Sequence, residues 1–147
     1  MTTDHLFVID PLNKLNLALD SSLRMMRALT QLGHRCFATE IHHLSWDSRQ
    51  RTATARCQEL RFGEDPAKPQ TSDNALISLD NFCAIHMRKD PPYDMAYIAT
   101  TWLLDQAGTG TVIYNEPGAL RTFNEKVAIL HFPEHIRPAI VGSEPHT

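Results

Sequence analysis

A chain of 147 residues suits one domain with a proper hydrophobic core. Hydrophobic residues make up 42% and charged residues 21%, which excludes a wholly disordered chain. Fourteen basic against seventeen acidic side chains leave a net charge of −3, which makes no case for nucleic acid or an anionic membrane as partner. No apolar run approaches the length of a membrane span, and Met1 to His5 lacks the basic start and apolar core of a signal peptide. Cys36, Cys57 and Cys83 are odd in number, widely spaced and free of any Cys-x-x-Cys, the pattern of reduced thiols in the cytoplasm.

In chain order, Leu6-Phe7-Val8-Ile9 reads as a buried strand ending at Asp10-Pro11, followed by a polar loop through Asn13 and Asn16. Leu19, Leu23, Met26, Leu29 and Leu32 fall at helical spacing, with Asp20 or Ser21 as cap and Gly33 just past the end. Cys36 to Thr39 is a second strand, so the first forty residues form a βαβ unit, which implies a parallel sheet. Residues 45–62 allow a small hairpin with a weak strand at Thr52 to Ala55. Gly63 to Asn74 reads as a surface loop, and Ala75 to Leu79 as a short element of open type. A strand over 83–87 runs into Arg88-Lys89-Asp90-Pro91-Pro92, after which Asp94 caps a helix through Met95, Ile98 and Trp102 that Gly108 terminates. Thr111 to Tyr114 is another strand, Pro117 stiffens a turn, and a last helix spans about 124–130. The remainder, 131–147, holds three prolines and little periodicity.

Three loops leave the same edge of the expected sheet. They carry Asp10, Asn13 and Asn16; Arg88, Lys89 and Asp90; and Asn115 and Glu116. Ligands of open α/β sheets sit outside the carboxyl ends of the strands. The two prolines fix the backbone after Arg88-Lys89-Asp90, a geometry suited to gripping a charged small molecule. An internal Arg–Asp pair explains the same residues without a ligand, and Asp10 and Asn13 also suit side-chain-to-backbone turns. No G-x-G-x-x-G or G-x-x-x-x-G-K-[ST] occurs, which disfavours a dinucleotide site. His42-His43 and the His131/His135 pair are weak metal candidates without supporting carboxylates or thiols, and nothing in the spacing supports a Cys–His nucleophile.

Four segments taken together, Val8 to Asn16, Asp20-Ser21-Ser22, Met87 to Asp94, and Leu120-Arg121 with Asn124-Glu125-Lys126, resemble the N-terminal domain of prokaryotic glutathione synthetase over about residues 6–130. The strings M-R-K-D-P-P-Y-D and N-E-K carry most of that resemblance. It implies an α/β, Rossmann-like pre-ATP-grasp domain over 1–130, with a central parallel sheet flanked by helices, and a linker or start of an ATP-grasp module over 131–147. It also implies a parent ligase that uses ATP and Mg²⁺ to join γ-glutamylcysteine and glycine through an acyl phosphate, in a homo-oligomer or with a separate ATP-grasp half. By the resemblance, Asp10, Asn13, Asn16, Arg88, Lys89 and Asp90 face the substrate cleft, and Lys126 contributes to ATP binding. No catalytic residue and no metal ligand are expected within this chain. The family's Asn-Lys-Pro is Asn115-Glu116-Pro117 here, a charge reversal. The chain stops at Thr147, where the family would enter the module bearing its phosphate-covering loop and metal ligands, so the chain alone is expected to lack ligase activity. Two other readings stand beside it: a non-enzymatic α/β binding or oligomerisation module, and a different amino-acid ligase that uses the same front domain.

Overall fold

The computed structural model describes residues 2–63, 69–123 and 127–142. Strand β1 (Asp4–Val8) lies between β2 (Arg35–Thr39) and β7 (Ala84–Met87), parallel to both, and β8 (Val112–Tyr114) extends this parallel core beyond β7. The hairpin of β3 (Leu44–Asp47) and β4 (Thr52–Arg61) adds antiparallel to β2, and β5 (Gln70–Thr71) and β6 (Ala75–Ser78) pair with β4. The sheet is therefore mixed, with the order β3-β4-β2-β1-β7-β8 along its main path.

Alternation along the strands sorts the core into two layers. Phe7, Ile9, Cys36 and Ala38 face Leu23 and Met26 of helix α1 (Ser21–Gln31). Leu6, Val8, Phe37, Ile85 and Met87 face Tyr97 and Leu104 of helix α2 (Met95–Leu104). Helix α1 starts where expected, with Asp20 Oδ1 accepting from the Leu23 N–H at 2.9 Å. It ends before Gly33, whose φ of +88° is the left-handed geometry glycine adopts freely. Asp94 caps α2 in the same way, accepting from the Tyr97 N–H at 2.9 Å.

Several elements differ from the sequence reading. The weak strand at 52–55 is the start of a ten-residue strand, because Ala53, Ala55 and Cys57 bury one face while Leu60 joins the opposite layer. Gly108 does not terminate α2, which ends at Leu104. Its N–H donates to Asp80 Oδ1 at 2.6 Å, and a Cβ there would stand 3.0 Å from that oxygen, so close approach explains the glycine. The last helix comes earlier than expected, as α3 (Pro117–Thr122), with Pro117 at its first turn. Of the expected 124–130 helix, residues 124–126 lie outside the described residues, and Val127–His131 form a 3-10 turn.

Candidate functional site

Strand β1 leads through α1 to β2 on one side, while β7 flanks it on the other, so the chain order reverses direction at β1/β7. That switch point leaves a crevice outside the carboxyl ends of these strands. The loops after β1 and β7 meet there. Lys89 Nζ lies 3.0 Å from Asp10 Oδ1, with only 12% of the lysine side chain exposed. The Asp90 N–H donates to Asp10 Oδ2 at 3.1 Å. Both carboxylate oxygens of Asp10 are thus engaged in tying the two loops together.

Arg88 makes no ion pair with Asp90. Its Nη2 donates to Ser21 Oγ at 2.8 Å, and its Nε faces Ser22 Oγ at 3.4 Å, both at the start of α1. The guanidinium has no carboxylate partner among the described residues. Beside it opens a cleft of about 230 Å³, walled by Met87, Lys89, Tyr93, Tyr97 and Asn115 and closed below by Leu120. The Tyr93 hydroxyl donates to the Leu120 carbonyl at 2.9 Å, which fixes the ring against α3.

Glu116, the charge reversal, has a structural role. Its carboxylate accepts from the N–H groups of Gly118 and Ala119 at the start of α3, and these bonds hold its pKa below the usual carboxylate value. Asn115, next to it, lines the cleft. Asn16 lines neither this cleft nor the cavity at Asp10 and Asn13, and its Oδ1 accepts from the Ala18 N–H at 3.2 Å. Asp10 and Asn13 line a second cavity of about 330 Å³ on the β2–β4 side of the switch point. Sequence patterns gave no sign of that cavity, because Arg56, Gln58 and Asn74 are brought beside Glu40, at the end of β2, only by the antiparallel pairing of β4 with β2 and β6. Lys126 lies outside the described residues. Among the described residues no three His, Cys, Asp or Glu side chains are grouped to hold a metal ion, so the histidine pairs form no such centre there.

The α1 face of the sheet carries a histidine cluster beyond the helix. His86 stacks between Phe7 and Tyr114, with ring centroids at 4.2 and 5.4 Å. Its Nε2 meets His5 Nδ1 at 3.2 Å, and His5 Nε2 lies 3.4 Å from Cys83 Sγ. Burial, then the neighbouring His5 and Arg88, push the His86 pKa down to about 4. Residues 78 and 81 positions apart meet here because β7 lies beside β1.

Residues 4–121 match the family described as "Prokaryotic glutathione synthetase, N-terminal domain". The chain belongs to this family. It is 35% identical over 141 residues to a glutathione synthetase of Nitrosomonas europaea, covering 94% of this chain and 44% of that protein. A glutathione synthetase of Pseudomonas syringae is 38% identical over 137 residues, covering 92% and 42%, and one of Neisseria meningitidis is 36% identical over 140 residues, covering 92% and 44%. The chain spans under half the length of these relatives and corresponds to their N-terminal domain. The mixed sheet flanked by helices agrees with the pre-ATP-grasp fold of the glutathione synthetase family. No described helix is long and apolar enough to cross a membrane.

Proposed function

We propose that this chain is the substrate-binding front domain of a cytoplasmic, ATP-dependent ligase that joins γ-glutamylcysteine to glycine through an acyl phosphate. Arg88 carries the reading. It is a guanidinium held by two serine hydroxyls, free of any described carboxylate, at the switch point of the sheet. A fixed fork of N–H donors suits a peptide carboxylate, to which arginine binds bidentately. Asp10, Lys89 and the Asp90 backbone would hold the loops that present it. Residues 1–130 form the front domain in this reading, and 131–147 lead toward an ATP-grasp module.

ATP and Mg²⁺ would serve the complete ligase, with Lys126 of the N-E-K string contributing to ATP binding. A homo-oligomer fits helix α2, whose ten residues include no charged side chain while Met95 and Trp102 are 67% and 51% exposed. A helix apolar on all sides is normally covered.

The test is calorimetric titration of this chain with γ-glutamylcysteine, followed by Arg88→Lys. Lysine keeps the charge and loses the fork, which removes about 1.5 kcal/mol and weakens binding roughly tenfold, with little change in Tm. Unchanged affinity together with a lower Tm would reassign Arg88 to holding the start of α1.

A further inference from the structure

The second cavity lies across the Asp10–Lys89 pair from the Arg88 cleft, and apart from Asp10 its lining residues have no part in the proposed function. It is about 330 Å³, the lower end of the range for small-molecule sites. Four long or amide-bearing side chains converge on it: Asn13, Arg56, Gln58 and Asn74. None of them makes a side-chain hydrogen bond or ion pair with any described residue, whereas neighbouring polar groups are engaged. Thr39 donates to the Arg56 carbonyl at 2.8 Å, and Asp10 is held by Lys89 and the Asp90 N–H. Glu40 also lines the cavity, and of its two carboxylate oxygens only Oε2 has a described partner, His42 at 3.2 Å.

We propose that this cavity binds a free α-amino acid as its zwitterion. Arg56 takes the carboxylate, the spare oxygen of Glu40 takes the ammonium, and the three primary amides take an amide or hydroxyl on the ligand's side chain. Lining of mixed sign decides the class. A simple anion would face the carboxylates of Glu40 and Asp10, and a simple cation would face Arg56. A zwitterion satisfies both charges at once. Primary amides both donate and accept, so they favour a polar neutral side chain over an aliphatic one. The site differs from the proposed dipeptide cleft in every lining residue and does not depend on that assignment.

The experiment is a titration of the isotopically labelled chain with L-glutamine, followed by amide and side-chain NMR. Saturable shifts are expected at Asn13, Gln58, Asn74 and the Arg56 side chain, with a millimolar or tighter dissociation constant. Arg56→Gln should weaken binding at least tenfold without lowering Tm, since the guanidinium is exposed and has no described partner. Glu40→Gln should also weaken it, and Arg88→Lys should leave it unchanged. N-acetyl-L-glutamine, which lacks the ammonium, should bind at least tenfold more weakly than L-glutamine. Equal binding of the acetylated compound would overturn the zwitterion assignment. Shifts confined to the Arg88 cleft, or shifts that do not saturate, would overturn the site itself.

Discussion

Acid should destabilise this domain through His86 before most of its carboxylates are protonated. The ring is 8% exposed, stacked between Phe7 and Tyr114, with its Nε2 against His5 Nδ1. One of those two nitrogens must be bare for a hydrogen bond to form, so protonating both rings sets two N–H groups face to face. The folded-state pKa of His86 is about 4, below the unfolded value of about 6.5. The unfolded chain therefore binds the proton first. The contribution to stability is fully present above the unfolded pKa and is lost as pH falls from about 6.5 toward about 4. For one group with these values, the loss between pH 7 and pH 4.5 is about 2 kcal/mol. His5 is lowered as well, by burial and then by His34, and adds in the same direction. Urea denaturation at the two pH values measures the slope. His86→Phe keeps an aromatic ring in the stack and removes the titration, so it should flatten the pH dependence by about 2 kcal/mol. An equally steep loss in the phenylalanine variant would refute the reasoning and place the acid sensitivity on carboxylates.

Asp10→Ala should destabilise the domain by about 2 kcal/mol in urea denaturation, because it removes the counter-charge of the largely buried Lys89 ammonium, leaving it only the Asp90 carbonyl among the described residues, and frees the Asp90 N–H; no change would show that the pair is fully screened. Thiol titration of the native chain should find Cys83 reacting first, because burial raises Cys36 and Cys57 to about 11 while Cys83 is only half-buried. Denaturant should then release the remaining two, and three fast thiols in the native state would show that the core opens readily.

The parallel core was legible because its elements announce themselves locally. Leu6 to Ile9 is a continuous apolar run, Asp20 and Asp94 are capping residues ahead of helical periodicity, and Gly33 sits where a left-handed turn is needed. The antiparallel extension was largely hidden. Strand β4 alternates small residues, Ala53, Ala55 and Cys57, with polar ones, so its hydrophobic signal is weak even though those three are buried. Gly108 misled because a glycine after a helical pattern suggests a stop, whereas this one answers a contact with Asp80, 28 residues earlier. The Arg88 loop could be found from its charges and prolines, but its partners could not. Ser21 and Ser22 are 67 and 66 residues away and reach it only because α1 begins beside the end of β7.

The structure also separates charges that hold the site from charges left for a ligand. Asp10 is fully occupied by the loop after β7, and Glu116 by the first turn of α3. Each of the four carboxylate oxygens has a described partner, although both residues lie in loops on the sheet edge that the sequence singles out. Glu116 stands where the resemblance leads one to expect a lysine, but it places no unpaired negative charge in the cleft, because two backbone N–H groups take up its oxygens. The cleft can therefore still receive an anion at Arg88 despite the reversal, and Asp10 acts on any ligand by fixing where Lys89 stands. Through that shared ion pair, a change at Asp10 must disturb both cavities, whereas Arg56 lines the second cavity and not the first, and Arg88 the first and not the second.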